Sequence, residues 1–405
     1  MRYNECVRIL GIETSCDETA VCLIEGTGVF GADFTFKILG NSLASQAALH
    51  AQYGGVFPNL AKREHAKNLV PMLEVTLREA GNLHPHKGES FVLQRTLLCR
   101  ILEREPELHE RLPVFLGKYG KPDVDAIAVT HGPGLEPALW VGINFAKALS
   151  LIWDVPIVAV DHMEGHILSA MIEERGKEFS IFNFQFPVLA LLISGGHTEL
   201  VLSREWRRYE RIGETRDDAA GEAFDKVARL IDLSYPGGPE ISRLAKEARE
   251  KNIVPDFKFT RPMRHDKGFD FSFSGLKTAV RTLYESKGPS LKDAPRTVLE
   301  EFKMQIAREF EDTVADVLIE KTMRAVEEFG VNTIVVGGGV SANDHIRLRL
   351  AEALAESGNL TALLMPPKEL ATDNAIMIAL AGYFHALNKE FTAPELLTAN
   401  GNLRL

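Results

Sequence analysis

Cysteine is scarce in this sequence: Cys6, Cys16, Cys22 and Cys99 are the only four in 405 residues, and they form no CxxC pair. A disulfide-stapled scaffold is excluded, the usage fits a reducing cytoplasm, and any metal site must draw its ligands from other side chains. Long apolar runs are missing too. No segment reaches the roughly 18 uninterrupted apolar residues of a membrane span. Met1-Arg2-Tyr3-Asn4-Glu5-Cys6 leads into the first apolar run without a basic n-region and cleavage site. A cytoplasmic protein with no membrane contact is expected. Positive charge is in deficit, with 46 Lys and Arg against 56 Asp and Glu, a net charge of −10. An autonomous nucleic-acid binder clusters Lys and Arg on phosphates, so any RNA contact here has to be local or shared with a partner. The GxxxxGK[ST] phosphate loop is absent, and no Cys, His and Asp arrangement for covalent catalysis stands out. These absences favour direct group transfer.

With 45% hydrophobic residues, the chain can bury two sizeable cores. Its halves repeat one plan. Arg8 to Glu13 reads as a strand, Thr14 to Thr19 as a polar turn and Ala20 to Ile24 as the return strand; Pro187 to Ile193, Ser194 to Thr198 and Glu199 to Leu202 repeat it. Each half then offers an apolar strand, a glycine-rich turn and a helix. The first copy is Asp125 to Thr130, His131 to Leu135 and a helix through Ala148; the second is Thr333 to Val336, Gly337 to Gly339 and a helix from Ser341. Glycines between strand and helix leave N–H groups aimed at one point, where the helix dipole favours an anion. Two such units facing each other predict a phosphate-binding cleft and a mixed, helix-flanked sheet in each lobe. Leu83 to Lys121 departs from this rhythm and is expected to be a helical surface insertion, with Leu93 to Leu112 a charged amphipathic stretch. Arg243 to Lys277 holds nine Lys and Arg against five Asp and Glu, with Phe257, Phe259, Phe269, Phe271 and Phe273 interleaved. That pattern suits an RNA-facing surface or, equally, a solvated helix followed by a strand.

His162 and His166 are spaced i, i+4, which puts both imidazoles on one helix face at a separation suited to one metal ion, although surface or packed histidines share this spacing. Asp373, in Ala371-Thr372-Asp373-Asn374-Ala375 before a very apolar helix, reads as a cap or as a third ligand. Two histidines and a carboxylate leave coordination positions open for substrate. Ser194-Gly195-Gly196-His197-Thr198 can hold phosphate through amides and hydroxyls or serve only as a tight hairpin. Asp17 and Glu18 sit at the first hairpin tip, as solvated turn acids or as groups acting on metal, water or an amine. Asp225, near Pro236-Gly237-Gly238-Pro239, can reach a ribose hydroxyl or be a surface helix acid.

Taken in order, Ile12-Glu13-Thr14-Ser15-Cys16-Asp17-Glu18-Thr19, Gly132-Pro133-Gly134-Leu135, His162-Met163-Glu164-Gly165-His166, Ser194 to Thr198, Pro236 to Pro239 and Gly338-Gly339-Val340-Ser341-Ala342-Asn343 resemble the TsaD/Kae family of tRNA N6-adenosine threonylcarbamoyltransferases. The match runs from about Ile9 to Ala381 and is broken only by the insertion. The resemblance implies a duplicated actin-like (ASKHA, ribonuclease H-like) α/β fold with a nucleotide cleft between two lobes. Residues 1–158 would form the first lobe, with the insertion at about 83–121 and a C-terminal helix, 375–405, packing back on it; residues 159–374 would form the second. It implies one divalent metal per chain, Fe2+ or Zn2+, on His162, His166 and Asp373. Leu192, Ile193, Ser194, Gly195, Gly196, Asp225, Gly238 and Asn343 would bind threonylcarbamoyl-AMP, with Asp17 and Glu18 near the reacting groups. Its partners would be tRNA and either a silent actin-like paralogue with a small ATPase, as in bacteria, or a kinase-containing complex, as in archaea. Ser242 stands where the family often has an acid that contacts ribose. Three rivals fit less well. HMEGH is not the HExxH of a zinc protease, its glutamate pointing away from the shared histidine face. An actin-like kinase would hold magnesium through carboxylates and phosphate. A non-catalytic scaffold would be expected to lose the metal set, which is complete here.

Overall fold

In the computed structural model, which describes residues 6–86, 92–291 and 295–405, the chain divides into two units. The first holds residues 1–49, 56–183 and 373–405, the second residues 50–55 and 184–372. The first sheet is built from Val7–Glu13 (β1), Glu18–Thr27 (β2), Thr35–Ser45 (β3), Ala126–Gly132 (β4), Ile157–Asp161 (β5), Ile172–Arg175 (β6) and Glu178–Ile181 (β7), in the order β5-β4-β1-β2-β3-β7-β6. Strands β1, β4 and β5 run parallel; β2 is antiparallel to β1, and β3 to β2. The near-continuous burial of β1 and β4 matches strands covered on both faces.

The boundary differs from the one expected at residues 158 and 159. The helix His162–Ala170 and strands β6 and β7 stay with the first unit, because β7 pairs with β3 at Phe36 and Phe179 and so extends the first sheet. The insertion contributes the helices Val92–Ile101 and Pro106–Lys118. Its apolar side is more than a surface covering: Leu98, Leu102, Leu108, Leu112, Phe115 and Leu116 share a core with Leu10, Ile12, Leu69 and Leu73.

The helix Ala375–Leu387 packs on β1, β2 and β4, and eleven of its thirteen residues are buried. Apolar on every side and only thirteen residues long, it is a core helix. Among the described residues no helix is long and apolar enough to cross a membrane. Two glycines permit its close approach. A Cβ at Gly11 would lie 2.5 Å from the Ala375 carbonyl oxygen, and one at Gly382 would lie 2.3 Å from the Ala128 Cβ. Gly11→Ala is therefore expected to cost about 1–3 kcal/mol by overpacking, seen as a lower thermal midpoint.

The second sheet comprises Val188–Ile193 (β8), Thr198–Glu205 (β9), Arg208–Glu214 (β10), Thr333–Gly337 (β11) and Ala362–Leu364 (β12), in the order β10-β9-β8-β11-β12. The antiparallel hairpin β8-β9 with parallel β11 beside β8 repeats the plan of β1, β2 and β4. Helices Ala220–Leu230, Gly237–Glu250, Ser274–Leu291, Arg296–Phe329 and Asp344–Ser357 accompany it. Phe259, Phe269, Phe271 and Phe273 are buried in its core and Phe257 packs against it. The aromatic interleaving of Arg243 to Lys277 is therefore a burial pattern, not a set of base-stacking side chains. In place of the expected strand, residues 251–273 carry only an isolated bridge from Phe271 to Thr215.

A charged network ties three helices of this unit. Arg249 donates to Glu311 Oε2 and to Asp312 Oδ1, each at 2.6 Å, and His345 Nε2 lies 2.7 Å from the same Asp312 oxygen. Burial alone would raise the Asp312 pKa; His345 and Arg249 outweigh it and hold the carboxyl down at about 2. A carboxyl depressed in the folded state stabilises above its unfolded value of about 3.9, and that stability is lost as pH falls through the folded value. The contribution is about 2 kcal/mol. Asp312→Asn is expected to lower the urea midpoint at neutral pH and to leave a shallower decline in stability between about pH 4 and pH 2, followed by circular dichroism.

Candidate metal centre

Helix His162–Ala170 starts where β5 ends. Asp161 caps it, its Oδ1 accepting the N–H groups of Met163 and Glu164 at 2.8 and 3.3 Å. The cap sets His162 at the first helical position and His166 one turn later, with ring centroids 4.6 Å apart and planes at 86°. Asp373 reaches them from just before the core helix Ala375–Leu387. Its Oδ1 lies 3.3 Å from His162 Nε2 and 3.1 Å from His166 Nε2. One ligand atom from each residue falls within 4.8 Å of the others, the one such gathering of His, Cys, Asp and Glu among the described residues.

Burial alone would raise Asp373, yet the two imidazoles hold it far below the usual carboxylate range. Burial would also depress His162, but Asp373 and Glu13 reverse this and lift it well above its ordinary value; for His166 burial prevails and the value falls. Two imidazole nitrogens and a carboxylate oxygen converging in a buried place fit a divalent transition metal. The fit extends outward: His162 Nδ1 faces Glu13 Oε2 at 3.1 Å, which leaves Nε2 as the ligand nitrogen. Glu164, the acid within HMEGH, is buried and bonded to His385 Nε2 at 2.7 Å. No carboxylate of that motif is placed as a protease base.

The β1-β2 turn carries Asp17 and Glu18, both half-buried. The backbone beside them is held by groups that sequence reasoning missed. His65, fully buried on helix Pro58–Glu79, lies 3.0 Å through Nε2 from the Cys16 carbonyl and 2.8 Å through Nδ1 from the Thr19 hydroxyl. Donation from Nε2 and acceptance at Nδ1 satisfies both. The Gln46 N–H donates to the Asp17 carbonyl at 2.9 Å. Burial, with the charges of Asp373 and Asp17, pushes Glu18 up to about 9. It therefore carries its proton at neutral pH while no cation is present, and once ionised it is a strong proton acceptor.

The remaining candidates gather in the second unit. Leu192 and Ile193 are buried in β8, so they can offer a ligand only backbone groups. The turn after them is tied by Ser194 N–H to the His197 carbonyl at 2.8 Å and by Gly221 N–H to the Ser194 carbonyl at 3.1 Å. Gly195 and Gly196 are exposed, with open space around them. Gly338, at φ +87°, packs against Ile193 and Ser194 and brings the two glycine turns together. Asp225 accepts the Gly237 N–H at 2.7 Å, which fixes the Pro236 to Pro239 turn where helix Gly237–Glu250 begins. Gly238 is open above it. Asn343 caps helix Asp344–Ser357 by accepting from Ile346 N–H at 2.9 Å, so that helix starts three residues later than expected. Its Nδ2 donates at 2.8 Å to both Ser242 Oγ and Glu311 Oε1.

A model of the TsaD family, tRNA N6-adenosine threonylcarbamoyltransferase, matches residues 37–87 and 118–380. The chain belongs to the TsaD family. Its two mixed sheets are those of the actin-like (ASKHA, ribonuclease H-like) α/β fold. Among solved structures, full-length HypF in its phosphate- and nucleotide-bound form matches 94% of this chain and 55% of its own, at TM-score 0.50 and 15% identity. HypF from T. kodakarensis matches 98% and 50%, at TM-score 0.50 and 13% identity. At these identities the likeness is one of fold, and the chain spans about half the length of the structures it matches.

The TsaD match stops at residue 87 and resumes at 118, so the inserted helices lie almost wholly outside it. His162, His166 and Asp373 lie within it. A ligand that binds only the folded protein raises its stability, by about 2.7 kcal/mol at roughly 100 times the dissociation constant. Added Zn2+ or anaerobic Fe2+ is expected to raise the thermal midpoint of chelator-treated protein, and His166→Ala to abolish the response.

Proposed function

We propose that this chain transfers the threonylcarbamoyl group of L-threonylcarbamoyladenylate to N6 of adenosine 37, in tRNAs reading codons that begin with adenine, and releases AMP. The observation that carries this reading is the buried His162, His166 and Asp373 centre in the unit that also bears the Asp17-Glu18 turn, within a TsaD-family chain. One divalent cation, Fe2+ in preference to Zn2+, would be held by those three side chains. A bound cation supplies Lewis-acid stabilisation of charge developing on the donor.

The chain's own groups account for the rest. The Ser194 to Gly196 turn, whose Ser194 N–H is given to the His197 carbonyl, would hold the adenylate through the Gly195 and Gly196 amides, together with Asp225, Gly238 and Asn343. The N6 amine attacks the carbamoyl carbon, the N–C bond forms, the bond from that carbon to the phosphate oxygen breaks, and AMP leaves. The proton lost from N6 passes to an ionised carboxylate of the Asp17-Glu18 pair. No enzyme-bound acyl group is required. An acidic chain with a tRNA substrate fits work with partners that add positive surface. These are a silent actin-like paralogue with a small ATPase or, alternatively, a kinase-containing complex, and the setting is the cytoplasm.

The test is transfer of labelled threonine from threonylcarbamoyl-AMP to tRNA, with both partner sets supplied. Labelling at adenosine 37 that is lost with chelator and in His166→Ala is expected. Glu18→Gln should lower kcat by about 10²–10⁴ with a smaller change in KM. Absence of labelling with either partner set would overturn the reading.

A further inference from the structure

Glu13 is the least exposed acid near the metal centre, at 0% accessibility, and ends β1 in a buried place where a carboxylate is costly unless it is fully paired. Its pairing is complete on both oxygens. Oε1 accepts the Ser15 N–H at 2.5 Å; Oε2 accepts the Thr130 hydroxyl at 2.6 Å and faces His162 Nδ1 at 3.1 Å. The His162 ring is thus bracketed, with Glu13 at one nitrogen and Asp373 at the other. Glu13 also links three separate pieces of chain: β1, the β4 strand that leads into Gly132-Pro133-Gly134-Leu135, and the metal-bearing helix.

We propose that Glu13 is a positioning residue of the metal centre that orients His162 and brings the charge of the site to match a dication. The proposal rests on the reading of His162, His166 and Asp373 as ligands. Two neutral imidazoles and the Asp373 carboxylate leave a bound dication with one uncancelled positive charge in a buried place, and the Glu13 carboxylate cancels it. A carboxylate on the outer nitrogen of a ligating histidine fixes the ring's tautomer and raises its basicity, and such groups are worth about 10- to 100-fold in metal affinity.

Zn2+ affinity of the full-length chelator-treated protein, measured by competition with a chromophoric chelator, tests this, with Co2+ absorption bands as a second readout of ligand geometry. Glu13→Gln keeps the size and the acceptor oxygen while removing the charge. It is expected to weaken Zn2+ binding by about 10- to 100-fold and to shift the Co2+ bands. Thr130→Val keeps the charge but drops one of the bonds that aim it, and should give a smaller loss in the same direction; it serves where Glu13→Gln does not fold. Wild-type binding with unchanged affinity and bands in the folded variants would overturn the proposal alone, leaving Glu13 as a structural partner of His162. Wild-type protein that binds no Zn2+, or binds it equally well as His166→Ala, would overturn the proposal and the metal reading together.

Discussion

The seating of the helix Ala375–Leu387 on the first sheet is the constraint on which the candidate centre depends. Asp373 is separated from His166 by 207 residues of chain, yet its Oδ1 must come within hydrogen-bond distance of two imidazoles. That placement is inherited from backbone proximity: Gly11 admits the start of the helix against β1, and Gly382 lets its later turn lie on β4. Asn374 then caps the helix through Met377 N–H at 3.0 Å, holding Asp373 at its mouth. Burial of an apolar helix thus positions a charged candidate ligand.

Electrostatics sets what the buried site can tolerate. The charge of Asp373 acts on both Glu13 and Glu18, and the three carboxyls divide into two kinds. Glu13 and Asp373 sit against imidazole, which holds their carboxyls down, whereas burial, and then the neighbouring acids, push Glu18 up. Glu164 belongs to neither group. With His385 it joins the histidine helix to the far end of Ala375–Leu387, a tie between the two elements that present the candidate ligands.

Much of this was legible in the sequence, for reasons specific to the residues. The hairpins at Thr14 and Ser194 announce themselves because an apolar run, a short polar turn and another apolar run admit few other structures. His162 and His166 share a face by helical periodicity alone. Asp373 needed the family resemblance, since nothing in a cap before an apolar helix says which distant side chains it will meet. Glu13 and His65 were missed because a single acid in an apolar strand, or a single histidine in a helix, carries its partners in tertiary contacts. The unit boundary was misplaced for a related reason. Strands β6 and β7 are four residues each, and which sheet such short strands join is decided by one pairing at Phe36.

The two repeats show how one supersecondary plan serves opposite electrostatic ends. The β1-β2 and β8-β9 hairpins have the same place in their sheets, each beside a parallel strand that leads into a glycine turn. The first tip offers Asp17 and Glu18 in a half-buried, acid-rich setting that raises a carboxyl pKa. The second offers Gly195 and Gly196, bare backbone with no Cβ to keep an anion away. A duplicated fold leaves the hairpins free to diverge because their shape is fixed by strand pairing below the tip, not by the tip residues. One strand–turn–strand design thus yields an acid-bearing tip in the first unit and a bare-backbone tip in the second.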